Sequence, residues 1–163
     1  MTSTNFKKIG KFIKKAISEL IAIADLNLEP YDEVEGKITA ALQNKNPWIR
    51  YWGLIVCSSF GIEAKELVPQ IQTLLQMDKE NLVRIRAAEY LMLNQIPFDK
   101  KKLKPLLENA SSETEANLML NTLSLVKQYQ PEIKFNFTKE IFPAHWYDKP
   151  NDLVNRRLEY LIN

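Results

Sequence analysis

The sequence predicts an all-α fold, a short stack of antiparallel helix pairs. Apolar residues recur at three- and four-residue spacing along almost the whole chain, which is the period of amphipathic helices. Only four of the 163 residues are glycine, and short polar turns separate the apolar segments. With 45% hydrophobic residues, a chain of this length can bury a continuous core, so one domain over residues 1–163 is expected.

The apolar spacing predicts eight helical segments. The first has a continuous apolar row from Phe6 to Ala24 with lysines mostly beside it, and it is expected to end between Leu26 and Pro30. Asn46 and Pro47 supply the cap and the first turn of the third helix. Residues 131–150 contain three prolines and an alternating apolar run, which predicts an irregular, partly extended stretch. The expected helices are 6–26, 32–43, 47–61, 64–77, 81–94, 101–109, 112–129 and 152–162.

A repeat of about 34 residues runs through the middle of the chain. Residues 46–53 align with 80–87, which places a polar turn, an apolar residue and then an arginine in register, Arg50 with Arg84. A weaker third copy lacks the arginine, because Ala116 stands at that position. One helix pair alone leaves an apolar face uncovered, and stacking of neighbouring pairs buries it. We expect a capping helix over 1–30, about three helix pairs over 31–130, and an irregular segment with a closing helix over 131–163.

The repeat resembles the HEAT and armadillo type. Its copies have a polar turn, Val-Arg or Ile-Arg, and a small-residue start to the second helix, as in the run from Arg84 to Ala88. Tetratricopeptide repeats have a similar length, but their tryptophan, glycine and tyrosine spacing is missing here. The resemblance implies an α-α superhelix, a HEAT/armadillo-like solenoid.

The stretch 46–93 is similar to the HEAT-like region that follows the catalytic domain in some bacterial sulfatases, and residues 154–161 are similar to the end of such proteins. The sulfatase nucleophile requires a Cys or Ser two residues before a proline, and none of the eight prolines here has one. The residue cluster that would hold calcium is also missing, so no catalytic residue, metal or cofactor is implied for this chain. The matching residues are Arg50-Tyr51-Trp52, Leu74-Leu75, Asp78, Val83-Arg84 and Ala87-Ala88-Glu89.

Charge and cysteine content exclude several classes of function. Lys and Arg number 22 against 20 Asp and Glu, and a net charge of +2 gives no global attraction to nucleic acid or anionic lipid. Cys57 is the only cysteine, so an internal disulfide or a thiolate cluster cannot form. No segment has the pattern of a signal peptide or a membrane span. Localisation stays open: cytoplasmic for a free-standing protein, periplasmic or extracellular for part of an exported sulfatase.

The titratable residues do not predict a catalytic site. His145 is the only histidine, and a metal site would need carboxylates alone beside it, so a packed or surface histidine is favoured. Cys57 lies among apolar residues and is expected to be buried and inert. Glutamates two residues apart point to different faces of a helix, so they are interpreted as solvated surface. These pairs are Glu33/Glu35 and Glu113/Glu115.

Aromatic clusters are the best candidates for a partner surface. Aromatic residues beside an arginine have the composition of an interface anchor, with core packing as the competing interpretation. For Arg50 and Arg84, a role in tying adjacent turns together is favoured over a ligand row. Two lysine groups, 7–15 and 100–104, could bind phosphate or lipid headgroups, but a solvated helix face is favoured. The candidate contacts are Trp48, Arg50, Tyr51, Trp52, His145, Trp146 and Tyr147.

The leading functional prediction is a non-catalytic interaction and scaffolding module that resembles the C-terminal accessory region of a sulfatase. In that setting its expected role is to brace the catalytic domain. The alternative is a free-standing HEAT-like adaptor that holds a protein partner in a concave groove. A nucleic-acid-binding helical solenoid is a third class, and the near-neutral charge disfavours it. A homo-oligomer also stays open, and an exposed apolar patch is expected in either of the first two cases.

Overall fold

A computed structural model describes residues 3–146 and 152–163, with side chains from residue 13 onward. Every regular element in these ranges is helical, which confirms the all-α prediction. Eight α-helices are described, with short 3-10 helices between several of them. They are α1 (Ser3–Ala24), α2 (Tyr31–Leu42), α3 (Pro47–Phe60), α4 (Val68–Met77), α5 (Asn81–Leu93), α6 (Leu103–Glu108), α7 (Glu113–Tyr129) and α8 (Leu153–Ile162).

The chain divides into two compact units, an N-terminal unit (Met1–Leu67) and a C-terminal unit (Val68–Asn163). In the N-terminal unit α3 packs against both α1 and α2. Asn46 caps α3 by accepting a hydrogen bond from the Trp48 backbone N–H at 3.0 Å, and Pro47 occupies the first turn as predicted. Gly53 lets α2 and α3 approach closely, because a Cβ there would lie 3.2 Å from side-chain atoms of both Ala41 and Leu42.

The C-terminal unit is built around α5, which packs against α4, α6 and α7, while α8 covers α7. Contact with three helices leaves α5 without a continuous solvent face, and most of its residues from Val83 to Met92 are buried. The Gln130 side chain donates to the carbonyl oxygens of Met92 (2.7 Å) and Leu93 (3.3 Å), at the C-terminal end of α5. These contacts satisfy carbonyls that have no partner within the helix.

The stretch after α7 alternates as the sequence indicates. Ile133, Phe135 and Phe137 are buried, and the residues between them are exposed, although no strand is assigned over 131–138. Single-residue alternation places one side of an extended chain on the core. The prediction of an irregular, partly extended segment is consistent with this pattern as far as residue 146; residues 147–150 of the predicted segment lie outside the described part of the chain.

Two helices become α-helical two or more residues later than predicted, and a proline lies beside each start. The helix expected from Ala64 begins as a 3-10 helix, Gly61–Leu67, and becomes α-helical only at Val68, next to Pro69. The helix expected from Lys101 begins with the 3-10 turn Lys100–Lys102 and is α-helical from Leu103, two residues before Pro105. Proline lacks an N–H and fits an α-helix only in its first turn, which sets both boundaries.

Candidate functional site

The three aromatic residues at the start of α3 differ in burial. Trp48 is 49% exposed, Trp52 is half-buried, and Tyr51 is buried. The rings of Trp48 and Tyr51 meet edge to face with centroids 5.8 Å apart. Tyr51 therefore belongs to the core of the N-terminal unit, and Trp48 is the member of this group that offers the most surface to a partner.

Arg50 and Arg84, which the repeat aligns, have similar partners. The Arg50 Nη1 donates to the carbonyl oxygens of Asn44 (2.7 Å) and Lys45 (3.1 Å), in the turn between α2 and α3. The Arg84 Nε donates to the carbonyl oxygen of Leu75, in the last turn of α4, at 3.0 Å. Each arginine links its helix to the end of the preceding one, which is the structural role that the sequence favoured.

The second aromatic cluster lies in the C-terminal unit. His145 is exposed, and Trp146 is half-buried, with its ring 5.8 Å from that of Phe142 and 5.9 Å from that of His145. Tyr147, the remaining predicted member, lies outside the described residues. The cluster at the start of α3 thus belongs to the N-terminal unit, and the cluster at His145 and Trp146 belongs to the C-terminal unit.

The first helix exposes part of its predicted apolar row. Ile13, Ile17 and Ile21 are 50%, 51% and 54% exposed, and their four-residue spacing places them along one side of α1. We call these three residues the α1 row. The apolar spacing of the row is visible in the sequence, but its exposure is not, because the spacing does not show which part of the apolar face the neighbouring helix covers. Leu28, just beyond α1, is also highly exposed.

A small basic pocket lies in the C-terminal unit, between the start of α6 and the extended segment. It has a volume of about 220 Å³. Lysines predominate in its lining, and no carboxylate contributes to it. We call it the lysine pocket; its lining residues are Lys100, Lys101, Leu103, Lys104, Lys134, Phe135, Asn136 and Phe137. The sequence drew attention to 100–104 but missed Lys134, because only folding brings it to them.

The residues weighed for catalysis do not form a catalytic arrangement. Cys57 is buried, and burial raises the pKa of its thiol to about 12, so it is protonated at neutral pH. Of the paired glutamates, Glu33 is exposed, and Glu35, Glu113 and Glu115 are partly exposed. The Glu115 Oε2 accepts from the Ser111 backbone N–H at 2.6 Å, at the start of α7. Over 3–146 and 152–163, no three His, Cys, Asp or Glu side chains gather as metal ligands would.

Comparison of the chain with protein families, curated proteins and solved structures finds no match. The resemblances to HEAT repeats and to a sulfatase accessory region therefore remain predictions from the residues. Within the described part of the chain, no helix is both long and apolar enough to cross a lipid bilayer.

Proposed function

We propose that this chain is a non-catalytic protein-interaction module whose helix pairs stack in a HEAT-type superhelix and brace the catalytic domain of a sulfatase-like protein. The observation that carries the proposal is the α1 row, Ile13, Ile17 and Ile21, each about half exposed along one helix side. Fully burying one such side chain contributes roughly 1.5–3 kcal/mol. A partner that buried the exposed half of all three side chains would therefore gain on the order of 3 kcal/mol of binding free energy from them.

The charge around the row favours a particular kind of partner surface. The sequence of α1 contains five lysines and one glutamate, and the exposed Lys14 lies between Ile13 and Ile17 in the chain. A complementary protein surface would place an apolar strip beside carboxylates, because opposite charges at the rim steer association. Trp48, half exposed at the start of α3, supplies a second anchor of the residue type most enriched at binding hot spots.

The test begins with the reading frame upstream of Met1. If a sulfatase core is encoded there, that domain and this chain are produced separately and their affinity is measured by isothermal titration calorimetry. The domain should bind the chain, and Ile17→Ser and Trp48→Ala should each weaken binding about 10-fold or more, which is the effect expected of an interface anchor. Both variants should melt within a few degrees of the parent chain, because both side chains are half exposed.

Met77→Ser is the matched control, since Met77 is 75% exposed and lies at the end of α4 in the other unit. It should leave the affinity unchanged. Absence of a sulfatase core upstream, or no binding to such a core, would overturn the proposal. Basic amphipathic helices also bind anionic lipid surfaces. Binding to phosphatidylserine vesicles that Ile17→Ser abolishes, with no binding to the protein domain, would assign the α1 row to a membrane instead.

A further inference from the structure

The lysine pocket has the features of a binding site for a small anion. Its wall on one side comes from the 3-10 turn Lys100–Lys102 and the first turn of α6, which contribute three lysines at positions i, i+1 and i+4. Its other wall is the extended segment, where burial of Phe135 and Phe137 leaves Lys134 and Asn136 on the exposed side. Two chain segments about 30 residues apart in the sequence thus each contribute lysines to the lining of one pocket.

No carboxylate lines the pocket, but one lies next to it: Glu108 pairs with the lining residue Lys104 across one helical turn. Three lining lysines, Lys100, Lys101 and Lys134, are thus left to bind an anion. The Asp99 side chain accepts a hydrogen bond from the Lys101 backbone N–H at 3.0 Å and so caps the 3-10 turn. Glu132 lines an adjoining pocket of about 400 Å³, which shares Lys100 and Lys134 with the lysine pocket. The pocket lining itself contains four lysines, one of them paired with Glu108, and no carboxylate, so it is more basic than the whole chain, which carries only +2.

We infer that the lysine pocket binds a small phosphate monoester. A doubly charged phosphate can accept hydrogen bonds from several lysine ammonium groups, which bind it as point charges. Leu103, Phe135 and Phe137 form an apolar wall that suits the organic part of the ester. The volume of 220 Å³ is below the roughly 300–1,000 Å³ of pockets that enclose drug-sized ligands, which favours a small ester over a nucleotide.

The lysine pocket shares no residue with the α1 row or Trp48, so phosphate binding and protein docking can be tested independently of each other. The probe is phenyl phosphate, titrated into ¹⁵N-labelled protein and followed by the backbone amide shifts of residues 100–104 and 134–137. We expect saturable shifts confined to these residues, and tighter binding of phenyl phosphate than of inorganic phosphate, because the latter has no group to contact the apolar wall.

Lys101→Gln and Lys134→Gln should each weaken binding about fivefold, the upper end for an exposed ion pair. Lys79→Gln is the matched control, since Lys79 is also exposed in the C-terminal unit but lies in the turn before α5, outside the pocket. Four results would each overturn the inference. The first is that sodium chloride at matched ionic strength shifts the same amides as much as phenyl phosphate does, and the second is that phenyl phosphate and inorganic phosphate bind equally well. The third is that Lys79→Gln weakens binding as much as the pocket variants do, and the fourth is that a thymidine oligonucleotide without terminal phosphates binds more tightly than phenyl phosphate.

Discussion

Removing the carboxylate of Glu89 should be among the most destabilising single changes in the C-terminal unit. Glu89 is 2% exposed, and its Oε2 lies 2.5 Å from Nη1 of Arg86, whose side chain is also largely buried. The pair is buried because α5 contacts helices on several sides and keeps little solvent-facing surface at this turn. Glu89→Ala would leave a guanidinium charge with little access to water and without this carboxylate.

The expected cost follows from that geometry. Breaking a buried ion pair by deleting one partner costs about 3–5 kcal/mol, because the remaining charge stays desolvated. The free energy of unfolding of a typical domain is only about 5–15 kcal/mol, so the variant would lose a large part of its stability. With a urea m-value of about 2 kcal/mol/M, a loss of 4 kcal/mol moves the unfolding midpoint down by about 2 M.

Urea unfolding followed by far-UV circular dichroism at pH 7 measures this shift. The double variant Arg86→Met/Glu89→Leu removes both charges and keeps apolar volume, so it should unfold near the parent midpoint or above it. A loss of less than about 1 kcal/mol in the free energy of unfolding of Glu89→Ala would show that the ion pair contributes little. A double variant as unstable as the single one would show that the loss comes from packing.

Two further predictions concern glycine packing and the buried thiol. Gly36→Ala should stabilise the protein by about 0.5–1 kcal/mol, because Gly36 lies within α2 and a Cβ there would have no atom within contact distance. Gly53→Ala should stabilise the protein less or destabilise it, because its Cβ would crowd Ala41 and Leu42. Thermal unfolding that ranks the two variants the other way would contradict this. Burial raises the pKa of Cys57 from 9.0 to about 12, so between these pH values the folded chain keeps a thiol proton that the unfolded chain loses. The contribution of the protonated thiol to stability is therefore complete below pH 9 and declines as the pH rises toward 12. At pH 10.5 the parent chain should have lost about 2 kcal/mol more than Cys57→Ala relative to pH 8, and equal losses in urea unfolding would show that the thiol does not contribute.

Local signals in the sequence were sufficient for most helices and for the cap of α3. Asn46-Pro47 predicted the start of α3, and the structure places the Asn46 side chain on the Trp48 N–H. Burial of Cys57 followed from its apolar neighbours on the same helix. These features depend on residues within one or two helical turns, where spacing and capping chemistry determine the outcome.

The features that the sequence did not reveal depend on contacts between distant segments. The exposure of Ile17 reflects how much of α1 its neighbour covers, and Lys134 joins the lysine pocket only because the extended segment runs beside α6. Nothing in the sequence indicated that Glu89 is buried. A helix covered on several sides lacks a single apolar stripe, so its sequence does not indicate which polar residues will be buried.

The turns between paired helices account physically for the strength of each repeat copy. A helix ends with carbonyl oxygens that lack partners within the helix, and a side-chain donor at a constant position can satisfy them. Arg84 does this for Leu75 in the last turn of α4, whereas Arg50 donates to the Asn44 and Lys45 carbonyl oxygens in the turn after α2, so both aligned arginines hold the turn before their own helix. After α6 the donor is instead the Asn81 side chain, which reaches the Asn109 carbonyl oxygen at 3.0 Å. That turn no longer requires an arginine from the following helix, so Ala116 can occupy the equivalent position, where it is buried. The third copy therefore differs from the first two in the donor that contacts its turn, which is the Asn81 side chain of the preceding helix pair and not an arginine of the following helix.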